Sequence, residues 1–348
     1  MENLKIYTLD NRTIQLYKDC FDSNGSSKKI ENIEWQFLKG TEKKVFVNIA
    51  FDELKKKTAA IYAVSCVKFK LNNKLYQGTQ SMDTMTDIDY RGLGLFAKLA
   101  KNVTDNCIND GLKLVYGFPN GISVHVYKKK MEWRIIDPIP FLIKPLKTKY
   151  FTNKIKFISF LPNIPLSFSR YKEGKNLRII VNNSFSEQVN SVWEQFSKNI
   201  KVAVNRDLEY LNWRYIKKPN QNYQIAHCYD IYNVYKGFVV FVVKEKHNGK
   251  IGYIMELIYD IDNDEVGKQL LSFAVESIKK ENADCILSWS FEHSPNYSSY
   301  KKHFFINMPE KLRPIELHFG VRSFDSKFDE LIGNRLNWYL SYSDSDTV

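Results

Sequence analysis

Glycine and proline are scarce in this chain, 15 and 10 of 348 residues, and cysteine is scarcer still. With apolar residues at 44% and charged residues at 26%, that scarcity excludes collagen-like, low-complexity and broadly disordered classes. The five cysteines (Cys20, Cys66, Cys107, Cys228, Cys285) show no paired spacing. An odd count in a long chain reads as reduced, buried thiols, which predicts a cytoplasmic home. There is no CxxC, no HExxH and no close pair of histidines, so no metal is expected. The longest strongly apolar stretch, residues 237–243, falls far short of the roughly 18 residues that span a bilayer. Met1-Glu2-Asn3-Leu4-Lys5 opens no signal-peptide hydrophobic region, so neither a membrane span nor secretion is expected.

Acidic residues are outnumbered, 39 against 51 Lys and Arg, for a net charge of +12 that suits an anionic partner. The lysines are spread out. Their densest run, Lys144 to Lys156, is interrupted by Pro145, Tyr150 and Phe151 and has neither an RNP-like nor a helix-turn-helix signature, which argues against nucleic acid. A phosphate-bearing small molecule would use the same charge.

The length exceeds what one core usually supports and fits two domains. Strand signals at 45–50, 59–69 and 75–86 are separated by polar turns. After a break at 87–94, Leu95, Leu99, Val103 and Cys107 fall on one helical face and Gly111 ends the helix. A short apolar strand follows at 112–118, and Pro119-Asn120-Gly121 turns the chain into a helix from about 123 to 130. Residues 138–188 carry Pro138, Pro140, Pro145, Pro162 and Pro165 with Phe141, Tyr150, Phe151, Phe157, Phe160 and Phe168 among them. So much apolar surface predicts a packed crossover rather than a floppy linker.

The second half repeats the order of the first. Ile33-Glu34-Trp35-Gln36-Phe37 is echoed by Leu211-Asn212-Trp213-Arg214-Tyr215, and a hairpin at 237–259, a helix at 265–280, a strand at 285–291 and a helix at 298–305 follow. The offset stays at roughly 170 to 180 residues, which reads as an internal duplication. The expected architecture is mixed α/β in two units, 1–160 with its crossover to about 188, and 189–348.

The sharpest local feature is Tyr90-Arg91-Gly92-Leu93-Gly94-Leu95-Phe96, placed after a strand and opening a helix. Its successive amides would point at an anion on the helix N-terminus. It has no Gly-Lys-Ser/Thr of a Walker loop and no GxGxxG spacing. At these residues the chain resembles the GNAT N-acyltransferase superfamily, whose acyl-CoA loop reads Arg/Gln-x-x-Gly-x-Gly/Ala; Arg91 and Gly94 match, and Phe96 replaces the last small position. With the duplicated order, the chain resembles the tandem-GNAT group, whose members include amino-sugar acylators, some acting on nucleotide-linked sugars, and Fem-type enzymes that use charged tRNA.

The resemblance implies two tandem GNAT-like units, acyl-CoA as co-substrate, a small amine as acceptor, and direct transfer without a covalent intermediate. It assigns the cofactor to Thr84, Met85 and Thr86 on the strand, to Arg91, Gly92, Leu93, Gly94, Leu95 and Phe96 in the loop, and to Asn120. It offers Asp83 as base and Tyr127 as proton donor to the thiolate, with His125 a further basic candidate. Tyr116, Glu256 and Trp289 are the residues expected to face the acceptor. In the second half the corresponding turn, 260–267, holds four carboxylates and one glycine and would repel a pyrophosphate, so that copy is expected to be degenerate and to form an acceptor-side wall. An amino sugar is the favoured acceptor. A Fem-like tRNA-dependent transferase and a non-catalytic acyl-CoA-binding scaffold are the alternatives, and the sequence leaves the oligomeric state open.

Overall fold

Alternation of apolar side chains builds the central strands and decides what covers them. In the longest strand, Lys57–Leu71, Ile61 and Ala63 pack on one side with Ile14 and Tyr17, while Tyr62, Val64 and Cys66 pack on the other with Leu99 and Val103. The strand is therefore buried on both faces, each covered by a helix. The same division recurs in the second half, where Val239 and Phe241 meet one helix and Phe238, Val240 and Val242 face another.

The computed structural model describes residues 3–152, 162–166, 171–313, 315–345 and 347. In chain order the first part contains β1 (Leu4–Thr8), α1 (Ile14–Ser23), α2 (Ile30–Ile33), β2 (Val45–Asp52), β3 (Lys57–Leu71), β4 (Lys74–Thr86), α3 (Leu95–Asn109), β5 (Leu114–Gly117), α4 (Val124–Lys130), β6 (Arg134–Ile135), β7 (Phe141–Pro145) and α5 (Lys149–Thr152). The second contains β8 (Leu177–Val181), α6 (Gln188–Phe196), β9 (Val202–Val204), α7 (Leu208–Leu211), β10 (Gln224–Asp230), β11 (Tyr235–Lys246), β12 (Gly249–Tyr259), α8 (Asp264–Lys280), β13 (Cys285–Trp289), α9 (Tyr297–Lys302), β14 (Ile306–Asn307), β15 (Gly320–Ser323) and α10 (Asp329–Gly333).

Two mixed sheets result. The first runs β1-β2-β3-β4-β5-β15-β6, with β9 also on β3; the second runs β14-β7-β13-β12-β11-β10-β8. Each contains one parallel pair, β4 with β5 and β12 with β13, and the other pairs are antiparallel. The expected mixed α/β architecture in two repeated halves is what the chain adopts.

The division at 160 and 189 is a different matter, because the sheets do not follow it. β7 pairs with β13, Phe141 opposite Trp289, while β15 returns to pair with β5, Gly320 opposite Gly117. β9 joins β3. Part of the expected crossover is thus sheet: β7 and β8 both belong to the second sheet. Phe157, Phe160 and Phe168 lie outside the described residues.

The echoed tryptophans form the seam. Trp35 and Trp213 each lie in a five-residue π-helical turn, Glu34–Leu38 and Asn212–Ile216, and their rings stack at 4.8 Å. Each indole N–H donates to the other's carbonyl, Trp35 Nε1 to Trp213 O at 2.8 Å and Trp213 Nε1 to Trp35 O at 3.0 Å. A reciprocal pair of this kind is what a duplicated element makes across a local twofold axis.

All five cysteines are buried and unbridged, and burial pushes the Cys20, Cys66 and Cys228 thiols up to about 12. Such thiols are poor nucleophiles at neutral pH. Among the described residues no helix is long and apolar enough to cross a membrane.

Candidate functional site

Two cavities meet at the end of β4. The outer one arises where β4 and β5 separate. They pair for three residues, Thr79 with Val115, Gln80 with Tyr116 and Ser81 with Gly117, and pair no further. At the last pair a Cβ on Gly117 would stand 3.0 Å from the Ser81 carbonyl oxygen, so glycine sets how closely the strands approach before they part. Beyond it a cavity of about 900 Å³ opens.

A bulge shapes its wall. Opposite β3 the register shifts, so that Asp83 and Thr84 together face Tyr62, and Asp83 takes a left-handed φ of +48°. A bulge of this type re-aims consecutive side chains. Asp83 lies against Lys28 in an ion pair and accepts from the Tyr17 hydroxyl at 2.9 Å. Both contacts fall on Oδ2, leaving Oδ1 without a bond to any described residue.

Tyr127 stands across the gap on α4. Its hydroxyl lies 3.2 Å from Ser81 Oγ and 3.2 Å from Thr84 Oγ1, and its ring is wedged edge-on against Trp133 and Phe96. Phe96 therefore serves as an aromatic wall supporting Tyr127, which gives a use to the departure from the small residue of the loop pattern. Met85, Thr86, Arg91, Gly92, Asn120 and His125 line the same cavity.

The loop that precedes α3 has the geometry an anion cradle needs. Gly92 and Gly94 adopt φ of +82° and +72°, a region that favours glycine, and Gly94 caps the helix with no side-chain oxygen on the first amides. Leu93 is exposed, whereas the Leu95 side chain turns into the core, so Leu95 can offer an anion only its backbone N–H.

The inner cavity, about 250 Å³, lies between the two halves and shares Met82 and Asp83 with the outer one. Trp35, Tyr116, Tyr210 and Trp213 supply aromatic wall; Asn32, Gln36, Gln80 and Gln221 supply amides. Ser343, Ser345 and Thr347 close it from the C-terminal segment. That segment is anchored by a buried network in which Arg206 bonds Asp344 at 2.5 Å and Glu256 at 3.3 Å, and Tyr116 donates its hydroxyl to Asp344 Oδ1 at 3.2 Å.

Two expected acceptor contacts fail on this geometry. Glu256 is fully buried, accepts from Tyr339 and Ser341, and lines neither cavity; burial pushes its carboxyl up against the pull of Arg206. A polar residue near a strand end here completes a buried ion pair instead of facing a ligand. Trp289 is equally enclosed, packed on Tyr342, Phe118 and Phe141. Sequence reasoning missed Lys28, Asn32, Gln80 and Lys218, which carry no motif. Gln36 and Arg214 entered only as members of the echoed segments around Trp35 and Trp213, which marked both places without giving either residue a role at a site.

Comparison with known proteins agrees with this fold. Residues 10–136 match the acetyltransferase (GNAT) domain family. The fold as a whole is similar to that of Saccharomyces cerevisiae N-myristoyltransferase with bound myristoyl-CoA, at a TM-score of 0.62 and 13% identity over 92% of this chain and 79% of that one. It is similar also to a conserved Enterococcus faecalis protein described as a probable N-acyltransferase, at a TM-score of 0.60 and 11% identity over 93% and 73%. No curated protein matches by sequence. The chain has the GNAT fold, and these findings support an acyl-CoA-dependent acyltransferase.

Proposed function

We propose that this chain transfers the acyl group of acyl-CoA to the primary amine of a small acceptor, an amino sugar being the class that suits the inner cavity. The observation that carries the reading is that the outer and inner cavities share Asp83, with Tyr127 on the outer side. A donor reaching in from one cavity and an acceptor held in the other would meet there.

The residues present fit acyl-CoA. The amides around Gly92 and Gly94, the open start of α3 and the Arg91 guanidinium suit a pyrophosphate. The Thr84–Thr86 edge of β4, no longer paired with β5, suits an amide-bearing arm. Asp83 Oδ1 takes a proton from the amine as its nitrogen bonds the thioester carbon and the carbon–sulfur bond breaks. Tyr127 gives its hydroxyl proton to the departing sulfur. Return of the proton from Asp83 to the tyrosine oxygen through water restores both groups.

Stacked aromatic walls and four side-chain amides suit a hydroxylated ring. The inner volume suits one sugar ring, so the nucleotide of a nucleotide-linked sugar would lie outside it. The second half acts as the acceptor-side wall through Arg214, Gln221 and the C-terminal segment. Reduced, unbridged cysteines suit a cytoplasmic reaction.

Thiol release tests the reading. Acyl-CoAs of several chain lengths are offered with amino sugars and polyamines, and amine-dependent release is expected, lowered in Asp83→Asn and Tyr127→Phe while CoA affinity is kept. CoA binding without amine-dependent release from any partner would favour the scaffold alternative.

A further inference from the structure

The inner cavity has a buried cation that a neutral acceptor does not use. Beside the Lys28–Asp83 ion pair its wall carries Arg214, Lys218 and Lys246. Arg214 is the telling member, with only 4% of its surface exposed. Its Nε donates to Ser343 O at 3.0 Å, its Nη1 to the Tyr223 hydroxyl at 2.9 Å and its Nη2 to Ser345 O at 3.2 Å. These partners are two carbonyls and a phenol; no described carboxylate stands within ion-pair distance. A guanidinium has five N–H donors, so these three bonds leave capacity for a further acceptor. An anion stabilises a buried cation, and a bound carboxylate or phosphate would supply one here.

A second observation points to a ligand. Asn32 Oδ1 is a buried acceptor on the same wall with no hydrogen-bond partner among the described residues. Buried polar atoms are normally satisfied, and an N–H or O–H of a bound molecule would satisfy this one.

We infer that the acceptor is an acidic amine: a small molecule whose amino group reaches Asp83 and whose carboxylate or phosphate lies against Arg214, with Lys218 beside it. The placement follows from the lining, since Asp83 belongs to both cavities whereas Arg214 and Lys218 line the inner one alone. Lys218 lies over the Trp35 ring at 5.4 Å, so the cationic wall and the aromatic seam are one surface. At about 250 Å³ the cavity lies just below the usual range for small-molecule sites and suits a molecule the size of an amino acid or a single sugar ring. This inference rests on the proposed acyl transfer and narrows its acceptor.

The test compares amines that differ in one anionic group: ethanolamine with phosphoethanolamine, glucosamine with glucosamine 6-phosphate, and glycinamide with glycine. Thiol release should favour the charged member of at least one pair by roughly 10- to 100-fold in kcat/KM, the range of a buried charge-assisted hydrogen bond. Whether the two phosphate pairs or the one carboxylate pair show the preference names the group. Arg214→Gln should abolish the preference by raising KM, with kcat and CoA affinity nearly unchanged. Because Arg214 is buried and that variant can fail to fold, Lys218→Gln serves beside it and should reduce the preference several-fold. Inorganic phosphate or acetate should inhibit competitively against the amine and not against acyl-CoA. Equal turnover of charged and neutral members, or a preference unchanged in the folded variants, overturns the inference and leaves acyl transfer standing. If no amine releases thiol, acyl transfer itself fails; calorimetry with phosphoethanolamine and glycine, on wild type and Lys218→Gln, then decides the anion site separately.

Discussion

The molecule contains the same cleft twice, open in one half and filled in the other. β12 and β13 pair in parallel for three residues, Ile251 with Cys285 to Tyr253 with Leu287, and then part, as β4 and β5 do. Each long strand before the gap carries a bulge against its antiparallel neighbour. Beyond that point the halves differ. Asn296 reaches into the second gap, donating to Leu257 O and accepting from Ser290 Oγ, both at 2.9 Å. Tyr300, in the helix after β13 as Tyr127 is in the helix after β5, accepts from Ser288 Oγ at 2.9 Å and is fully buried. The turn before α8 is likewise engaged: Asp260 and Asp262 accept from Gln195, and Lys236 pairs with Asp260. A repeated scaffold thus leaves one gap open and fills the other with its own side chains.

That contrast can be broken in four places. The largest effect is expected at Arg206, which holds the C-terminal segment between the halves; Arg206→Met leaves Glu256 and Asp344 without their cation and should cost about 3–5 kcal/mol in denaturant unfolding. Tyr127→Phe should lower kcat by at least about 100-fold with little loss of stability, since the role proposed for it is to give up a proton. Tyr300→Phe should do the reverse, losing about 1 kcal/mol of stability through Ser288 with activity per folded molecule retained. Arg91→Glu should weaken CoA by about 1 kcal/mol, the scale of an exposed charge contact, as measured by calorimetry. Matching losses in both tyrosine variants would mean that the two clefts do not differ in the way described.

Much of this was legible in the sequence, and the rest was hidden for physical reasons. The strands β2 to β4 and helix α3 announce themselves because side-chain alternation and a 3.6-residue apolar stripe are local. The loop at Arg91–Phe96 is equally local, as is the Trp35/Trp213 echo. The exchange of β7 and β15 between halves was not legible, because strands of five and four residues near prolines read as connection until their partners are known. The inner cavity was hidden for a related reason: Gln80, Arg214 and Ser343 meet only through contacts spanning more than a hundred residues, such as Gln80 with Asp344 and Arg214 with Ser343. Glu256 and Trp289 misled because a strand-end carboxylate or indole gives no local sign of whether it faces a ligand or a buried partner. The strand exchange also bears on truncation, since a chain ending near residue 160 would strip β5 of β15 and β3 of β9.

The central claim, one working cleft and one filled, is tested most directly by calorimetric titration of the full chain with CoA. A stoichiometry of one is expected, weakened by Arg91→Glu and untouched by Asp262→Lys in the corresponding turn of the second half. A stoichiometry of two, or equal weakening by both substitutions, would contradict it.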